Sequence, residues 1–224
     1  DFALSYFSDV KLPITNNTTE TMAILEELGI DEKHNRKTLN ELTMDEKIKL
    51  YQKLNEMISK AVPGRYVKYI PQLIIGDSYT FSKEDEDSFL RDGSEFSTAM
   101  NACGRNHEEK VAMEVLKGDR IEALDQLEAI SKTHRYNLAT SISQIAESDN
   151  TNIIELENLQ YFDGTGIKPE IVGTVTGMIL GYCNWKKPVI GFTQTDEYGL
   201  KISRRCSRLL SYDGIHFGNM MREI

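Results

Sequence analysis

The sequence predicts an α/β fold in which a helical connecting region, residues 1–150, precedes a small mixed β-sheet domain flanked by helices, residues 151–224. Three observations predict it. Residues 120–147 repeat Ile121, Leu124, Leu127, Ile130, Leu138, Ile142 and Ile145 at helical spacing. After the polar stretch 147-ESDNTN-152 the texture becomes strand, helix, strand, strand. Finally, a chain of 224 residues, 40% hydrophobic and 27% charged, can bury a core in one sizeable domain or two small ones.

The elements follow in order. Residues 1–15 read as irregular sequence with a turn at Asn16-Asn17, and Met22, Leu25 and Leu28 open a short helix that Gly29 ends. Thr43 and Glu46 in 43-TMDE-46 have the spacing of a capping box, which starts a helix running to about Lys60. Pro63-Gly64 breaks the chain, 73-LIIGDSYTF-81 has strand composition, and the acidic loop 83-KEDED-87 reads as solvated. A helix from about Ser94 to Cys103 precedes the long one at 120–147, which at 1.5 Å per residue is about 40 Å long. The second region holds a strand at 153–162, the loop 163-DGTGIK-168 and a helix opened by Pro169. Strands at 188–194 and 200–206, a turn at Asp196–Gly199 and a final helix complete it.

Composition excludes several classes. The longest apolar run, 171-IVGTVTGMILGYC-183, falls short of the roughly 20 residues that span a bilayer, and no signal-peptide pattern opens the chain. Cys103, Cys183 and Cys206 are widely spaced with no Cys-x-x-Cys, which argues against a disulfide framework or zinc site and for a reducing cytoplasm. The net charge of −9 argues against a protein coated in nucleic acid, while leaving room for a local basic groove. A start at Asp1 and a stop inside a helix-like run read as a fragment of something longer.

Candidate chemistry concentrates in two places. In 96-FSTAMNACGRN-106, Cys103 reads as a small hydrophobe at a buried helix end rather than as a nucleophile. Its neighbours are more informative. Gly104 can take φ > 0 and close the helix, so that Arg105 projects from a fixed backbone as a phosphate clamp requires, with Asn101 one turn earlier. The alternative is a capping glycine followed by an arginine that complements the helix dipole. The second place is 201-KISRRCSR-208: from residue 184 to 210, Lys186, Lys187, Lys201, Arg204, Arg205 and Arg208 face only Asp196 and Glu197. On a strand, Lys201, Ser203 and Arg205 share one face and Arg204 takes the other. Two cations flanking a hydroxyl suit successive phosphates of a nucleic-acid strand, and a solvated strand face remains the alternative. Gly173 and Gly177 read as close helix-to-sheet packing, and Trp185 as packing at a helix end.

Taken in order, 90-LRDGSEFSTAMNACGR-105 is similar to the stretch ending Asn-Ala-x-Gly-Arg in RecJ-like nucleases, above all the archaeal branch. The segments 171-IVGTVTGMIL-180, 186-KKPVIGFTQ-194 and 199-GLKISRR-205 resemble the DHH-associated domain of that superfamily, with its Val-Gly-x-x-x-Gly helix, Lys-Pro-Val-Ile strand and Ser-x-Arg strand. The segments 24-ILEELGI-30 and 38-TLNELTMDEK-47 fit the helical middle of archaeal members. The resemblance implies a two-lobed phosphodiesterase that hydrolyses single-stranded DNA, with RNA left open. A DHH lobe would hold two Mn²⁺ or Mg²⁺ ions that activate water, and the associated lobe would grip the strand. It implies nucleic-acid contacts at Asn101, Gly104, Arg105, Ser203 and Arg205, with Lys201 and Arg204 beside them. No Asp-His-His triplet, no aspartate-rich Asp-x-Asp strand and no Gly-Gly-Gly-His motif occurs in the chain. The expected catalytic residues and metal ligands are therefore not in it. A rival implication is a non-catalytic replication scaffold that binds the GINS complex or the MCM helicase.

Overall fold

The computed structural model describes residues 7–30, 39, 41–146, 152–195 and 199–220. The chain folds into a helical layer and a mixed four-stranded sheet, the α/β arrangement expected. The turn at Asn16-Asn17 forms as its residues dictate: Asn16 adopts φ 55°, and the Asn17 side chain accepts from Glu20 N at 3.1 Å to start helix α1, Thr18–Glu27. Gly29 follows with φ 68°. Helix α2, Met44–Ala61, carries the full capping box: Thr43 N donates to Glu46 Oε2 at 2.7 Å and Glu46 N donates to Thr43 Oγ1 at 3.3 Å. Leu50, Leu54 and Ile58, one turn apart, form its buried stripe.

The strand expected at 73–81 does not form. Ile70–Ile74 instead wind into the short helix α3, which buries Ile70 and Leu73 with Pro71 in its first turn. Beyond it the chain runs extended with a single isolated bridge, Thr80 to Asp92, so its strand-like composition finds no ladder among the described residues. Arginine anchors shape this region too. Glu84 of the acidic loop pairs with Arg120 at 2.6 Å rather than lying free in solvent.

Helix α4, Gly93–Arg105, starts at Asp92, whose carboxylate accepts from Ser94 N and Glu95 N. Helix α5, Glu109–Lys117, is an element the sequence reading does not foresee; Gly118 closes it with φ 108°. Helix α6, Glu122–Ala146, is the long strut, and its buried stripe is Leu127, Ser131, His134, Leu138, Ser141 and Ile145. The small residues Ala99, Ala102 and Cys103 let α4 lie close against it.

Residues 153–162 form two strands, not one. A turn at Leu156–Leu159 folds β1, Ile153–Glu155, back antiparallel onto β2, Gln160–Asp163. Helix α7, Pro169–Met178, then crosses over to β3, Val189–Gln194, which pairs parallel to β2. Strand β4, Leu200–Arg205, returns antiparallel, giving the order β1-β2-β3-β4. The crossover is the βαβ unit that the alternation of strand and helix predicts. Helix α7 covers one sheet face, and it approaches so closely that a Cβ on Gly191 would stand 2.3 Å from Phe162 and 2.5 Å from Thr176 Oγ1. Two short helices follow, α8 at Arg208–Tyr212 and α9 at Phe217–Met220.

Two of the cores join residues from both sides of position 150. Leu138 and Ile145 of α6 pack into the sheet core with Phe162, Val172 and Val189. Trp185 and Leu209 enter the core of the first three helices, where Trp185 meets Tyr66 edge to face at 5.7 Å. The segment 147–151, read from sequence as a linker, and the turn residues 196–198 lie outside the described residues. Among the described residues no helix is long and apolar enough to cross a membrane.

Candidate functional site

Strand alternation sends Ser203 and Arg205 of β4 to the side covered by α7. There the Gly173–Gly177 step does more than allow close packing. A Cβ on Gly173 would lie 3.5 Å from Ser203 Oγ and 3.6 Å from Arg205 Nη2, and one on Gly177 would lie 3.7 Å from Arg205 Nε. Two side-chain-free positions, one helical turn apart, thus make a floor over which the Arg205 guanidinium sits. Arg205 Nη1 donates to Arg204 O at 2.9 Å, and no carboxylate among the described residues pairs with Arg205.

That floor belongs to a groove of about 1010 Å³ between α6, α7, the start of α4 and the end of β4. Leu138 and Ile142 of α6 give it an apolar wall, Tyr182 stands at its rim, and Thr98, Ser143 and Thr174 supply hydroxyls. Arg135 of α6 and Glu95 of α4 also line it and are paired at 2.5 Å. Cations from two walls, with apolar side chains and a ring beside them, suit an extended polyanion whose bases can leave water.

Of the site residues expected from sequence, only Arg205 lines this groove. Lys201 is exposed on the same face of β4, four residues from Arg205, about 13 Å along the strand. Arg204 is half-buried and in register with Ile190 on the opposite face of the sheet. On α4, Thr98 lines the groove, and Asn101 and Arg105 continue the same helix face at spacings of three and four. Asn101 is exposed and Arg105 half-buried, about 10 Å beyond Thr98 along the axis.

Gly104 does not close the helix with a positive φ. It lies inside α4, and the left-handed residue is His107, φ 59°. The chain leaves α4 through a Schellman arrangement in which Glu108 N donates to Cys103 O at 3.0 Å, so the reversal falls three residues later than the glycine suggests. An added Cβ at Gly104 meets nothing within 4 Å, leaving its backbone open to approach.

Arg105 lies beside the buried His134 of α6. Burial, and then the Arg105 charge, push the imidazole below its ordinary range. Asn106 links the two: its amide Nδ2 donates to Ala102 O at 2.8 Å and stands 3.4 Å from His134 Nδ1. His107 Nε2, 3.9 Å from Glu170 Oε1, brings the end of α4 to the first turn of α7.

The cysteines stay out of this chemistry. Cys103 is fully buried, and desolvation, aided by Glu108, pushes its thiol up. Burial pushes the Cys183 thiol up to about 12. Among the described residues no group of three or more His, Cys, Asp or Glu side chains could hold a metal ion. The two metal ions implied by the resemblance therefore find no ligand set among the described residues.

Arg135, Glu95 and Tyr182 are groove residues that the sequence reading misses. Arg135 and Glu95 are indistinguishable from ordinary surface charges until α4 and α6 are placed side by side. The Gly-x-x-x-Gly step opposite Ser-x-Arg is the one pattern that could have signalled the seat of Arg205.

No family model matches the chain. It is 37% identical over 79 residues to an uncharacterized protein of the archaeon Methanocaldococcus jannaschii, a match covering 35% of this chain. The matched segment spans 24% of that relative's length.

Proposed function

We propose that this chain is the strand-gripping part of a RecJ-like single-strand nuclease working in a reducing cytoplasm in DNA repair or replication, with the Mn²⁺- or Mg²⁺-binding lobe supplied by residues outside it. The observation that carries the reading is Arg205, with which no carboxylate among the described residues pairs, seated over Gly173 and Gly177 in an apolar-walled groove. A guanidinium held in place offers two parallel donors to a phosphate. The side chains around it then receive the sugar and base, with Tyr182 as a stacking surface and Leu138 and Ile142 as the apolar wall. Lys201, four residues along β4, suits a later phosphate of the same strand, while Asn101 and Arg105 carry the path along α4.

The test is direct binding. A fluorescein-labelled oligothymidylate should bind the 224-residue chain with an affinity that falls as salt rises, and unlabelled duplex of equal charge should compete with it poorly. Duplex binding as tightly as single strand, or absence of binding at low salt, would refute the groove assignment. The second outcome would leave the replication-scaffold reading standing.

A further inference from the structure

The groove contains a second arginine that is already occupied. Arg135 projects from α6 into the cavity that Arg205 enters from β4, and the Glu95 carboxylate holds it at 2.5 Å. Both partners are about half exposed, with side-chain exposures of 57% and 50%. Ion pairs at such positions are weak and exchange readily with solvent.

We infer that Glu95 is a built-in substitute for substrate phosphate: an incoming phosphodiester displaces it from Arg135, so that Arg135 and Arg205 close on one strand from two walls. This rests on the single-strand reading of the groove and adds to it a contact and a control element. Three features support it. Glu95 itself lines the groove, so its carboxylate stands within the space a bound strand would occupy. Arginine binds carboxylate and phosphate oxygens with the same fork of donors, so one can replace the other without moving the guanidinium. Glu95 also sits in the first turn of α4, where the positive end of the helix favours its charge once it lets go of Arg135. Asp92 already serves the first backbone N–H groups there, so Glu95 has no capping bond to lose.

The exchange has a thermodynamic signature that a simple basic groove lacks. An acid in the groove should weaken binding through one named arginine and not through general repulsion. With labelled oligothymidylate and the 224-residue chain, Glu95→Gln should tighten binding about three- to tenfold and Arg135→Gln should weaken it. In the Arg135→Gln background the gain from Glu95→Gln should vanish, because the two residues act as a unit. Glu128→Gln, on α6 near Arg135 but outside the groove lining, should change affinity less than twofold. Circular dichroism melts of each variant establish that it is folded, and the neutral, helix-favouring Arg135→Met replaces Arg135→Gln if the latter is not. An unchanged affinity in Glu95→Gln, an equal gain in both backgrounds, or an equal gain from Glu128→Gln would overturn the exchange while Arg205→Ala still weakens binding. Oligothymidylate binding unaffected by Arg205→Ala would instead overturn the groove reading, and the exchange with it.

Discussion

Arg205 lies over Gly177 at a separation that leaves no room for a long side chain: a Cβ there would stand 3.7 Å from Nε, with the rest of the chain directed into the guanidinium. The relationship separates helix stability from binding. Gly177→Leu should favour α7 by about 1 kcal/mol through helix propensity, since glycine is among the poorest helix formers. The same leucine should push Arg205 off its floor and weaken oligothymidylate binding about tenfold, the loss also expected of Arg205→Ala, which removes a charge-assisted contact of roughly 1.5 kcal/mol. Gly177→Ala, at ordinary contact distance, should bind nearly normally. Fluorescence polarisation with a thermal melt measures both quantities, and a Gly177→Leu protein that binds like wild type counts against the floor.

Arg208 belongs to the same basic segment but should behave differently. Its Nε donates to Asp9 Oδ2 at 2.7 Å and its other nitrogens donate to Gln72 O and Leu73 O, so it ties α8 to α3 and the chain start. Arg208→Ala should cost about 2 kcal/mol of stability, the hydrogen bonds to a charged group being discounted for partial exposure. The slope of log affinity against log salt should stay as it is, whereas Arg205→Ala should lower that slope by about one. An Arg208→Ala protein with the reduced slope and an unchanged melting temperature would show that Arg208 is a phosphate contact.

Which features the sequence makes legible follows from their range. The capping box at Thr43 and Glu46 and the stop at Gly29 are local and appear where expected. Of the apolar repeat read along α6, by contrast, only Leu127, Leu138 and Ile145 are buried, and Ile121 stands exposed just before the helix, with Ala123, Ser131, His134 and Ser141 completing the buried face. Residues 73–81 have the side chains of a strand, but a strand exists only by pairing, and pairing is not encoded in the segment. Gly104 fails for a related reason. Glycine permits φ > 0 without demanding it, and the close packing of Ala102 and Cys103 carries α4 past it to His107. The βαβ crossover puts Ser203 and Arg205 on the face that alternation assigns them, yet their glycine floor comes from a helix some thirty residues earlier. Arg208 shows the reverse, a basic residue whose partner Asp9 is at the far end of the chain.

Gly191 tests that crossover directly. A methyl group there would stand 2.3 Å from Phe162 and 2.5 Å from Thr176 Oγ1, both of them buried, with Thr176 bonded to Val172 O. Neither neighbour is a flexible chain end that could swing aside. Gly191→Ala should therefore destabilise by about 1–3 kcal/mol through overpacking, a melting shift of about 2–10 °C for a chain of this size. Because α7 would be lifted from the sheet, binding should weaken as well, through displacement of the Gly173–Gly177 floor. Thermal melts and polarisation on one sample check both, and an unshifted melt means that the helix does not seat here.

His134 gives a prediction whose sign follows from its surroundings. It is buried on α6, its neighbours include the Arg105 cation, and its Nδ1 faces an Asn106 amide that already donates to Ala102 O. Nδ1 must therefore accept, which requires the neutral ring protonated on Nε2. Protonation would set a donor against a donor beside a positive charge. The folded chain thus binds this proton less readily than the unfolded chain, whose imidazole titrates at about 6.5. Stability is full above that pH and falls as pH drops below it, because the unfolded state takes up the proton first. The loss stops once the folded-state ring itself protonates. His134→Gln should remove this dependence, so the melting temperatures of wild type and variant should converge from pH 8 to pH 5.5. A wild-type protein whose melting temperature changes over that range no more than the variant's would show that His134 is not held neutral, and with it that the Asn106 bridge does not fix the end of α4 beside Arg105.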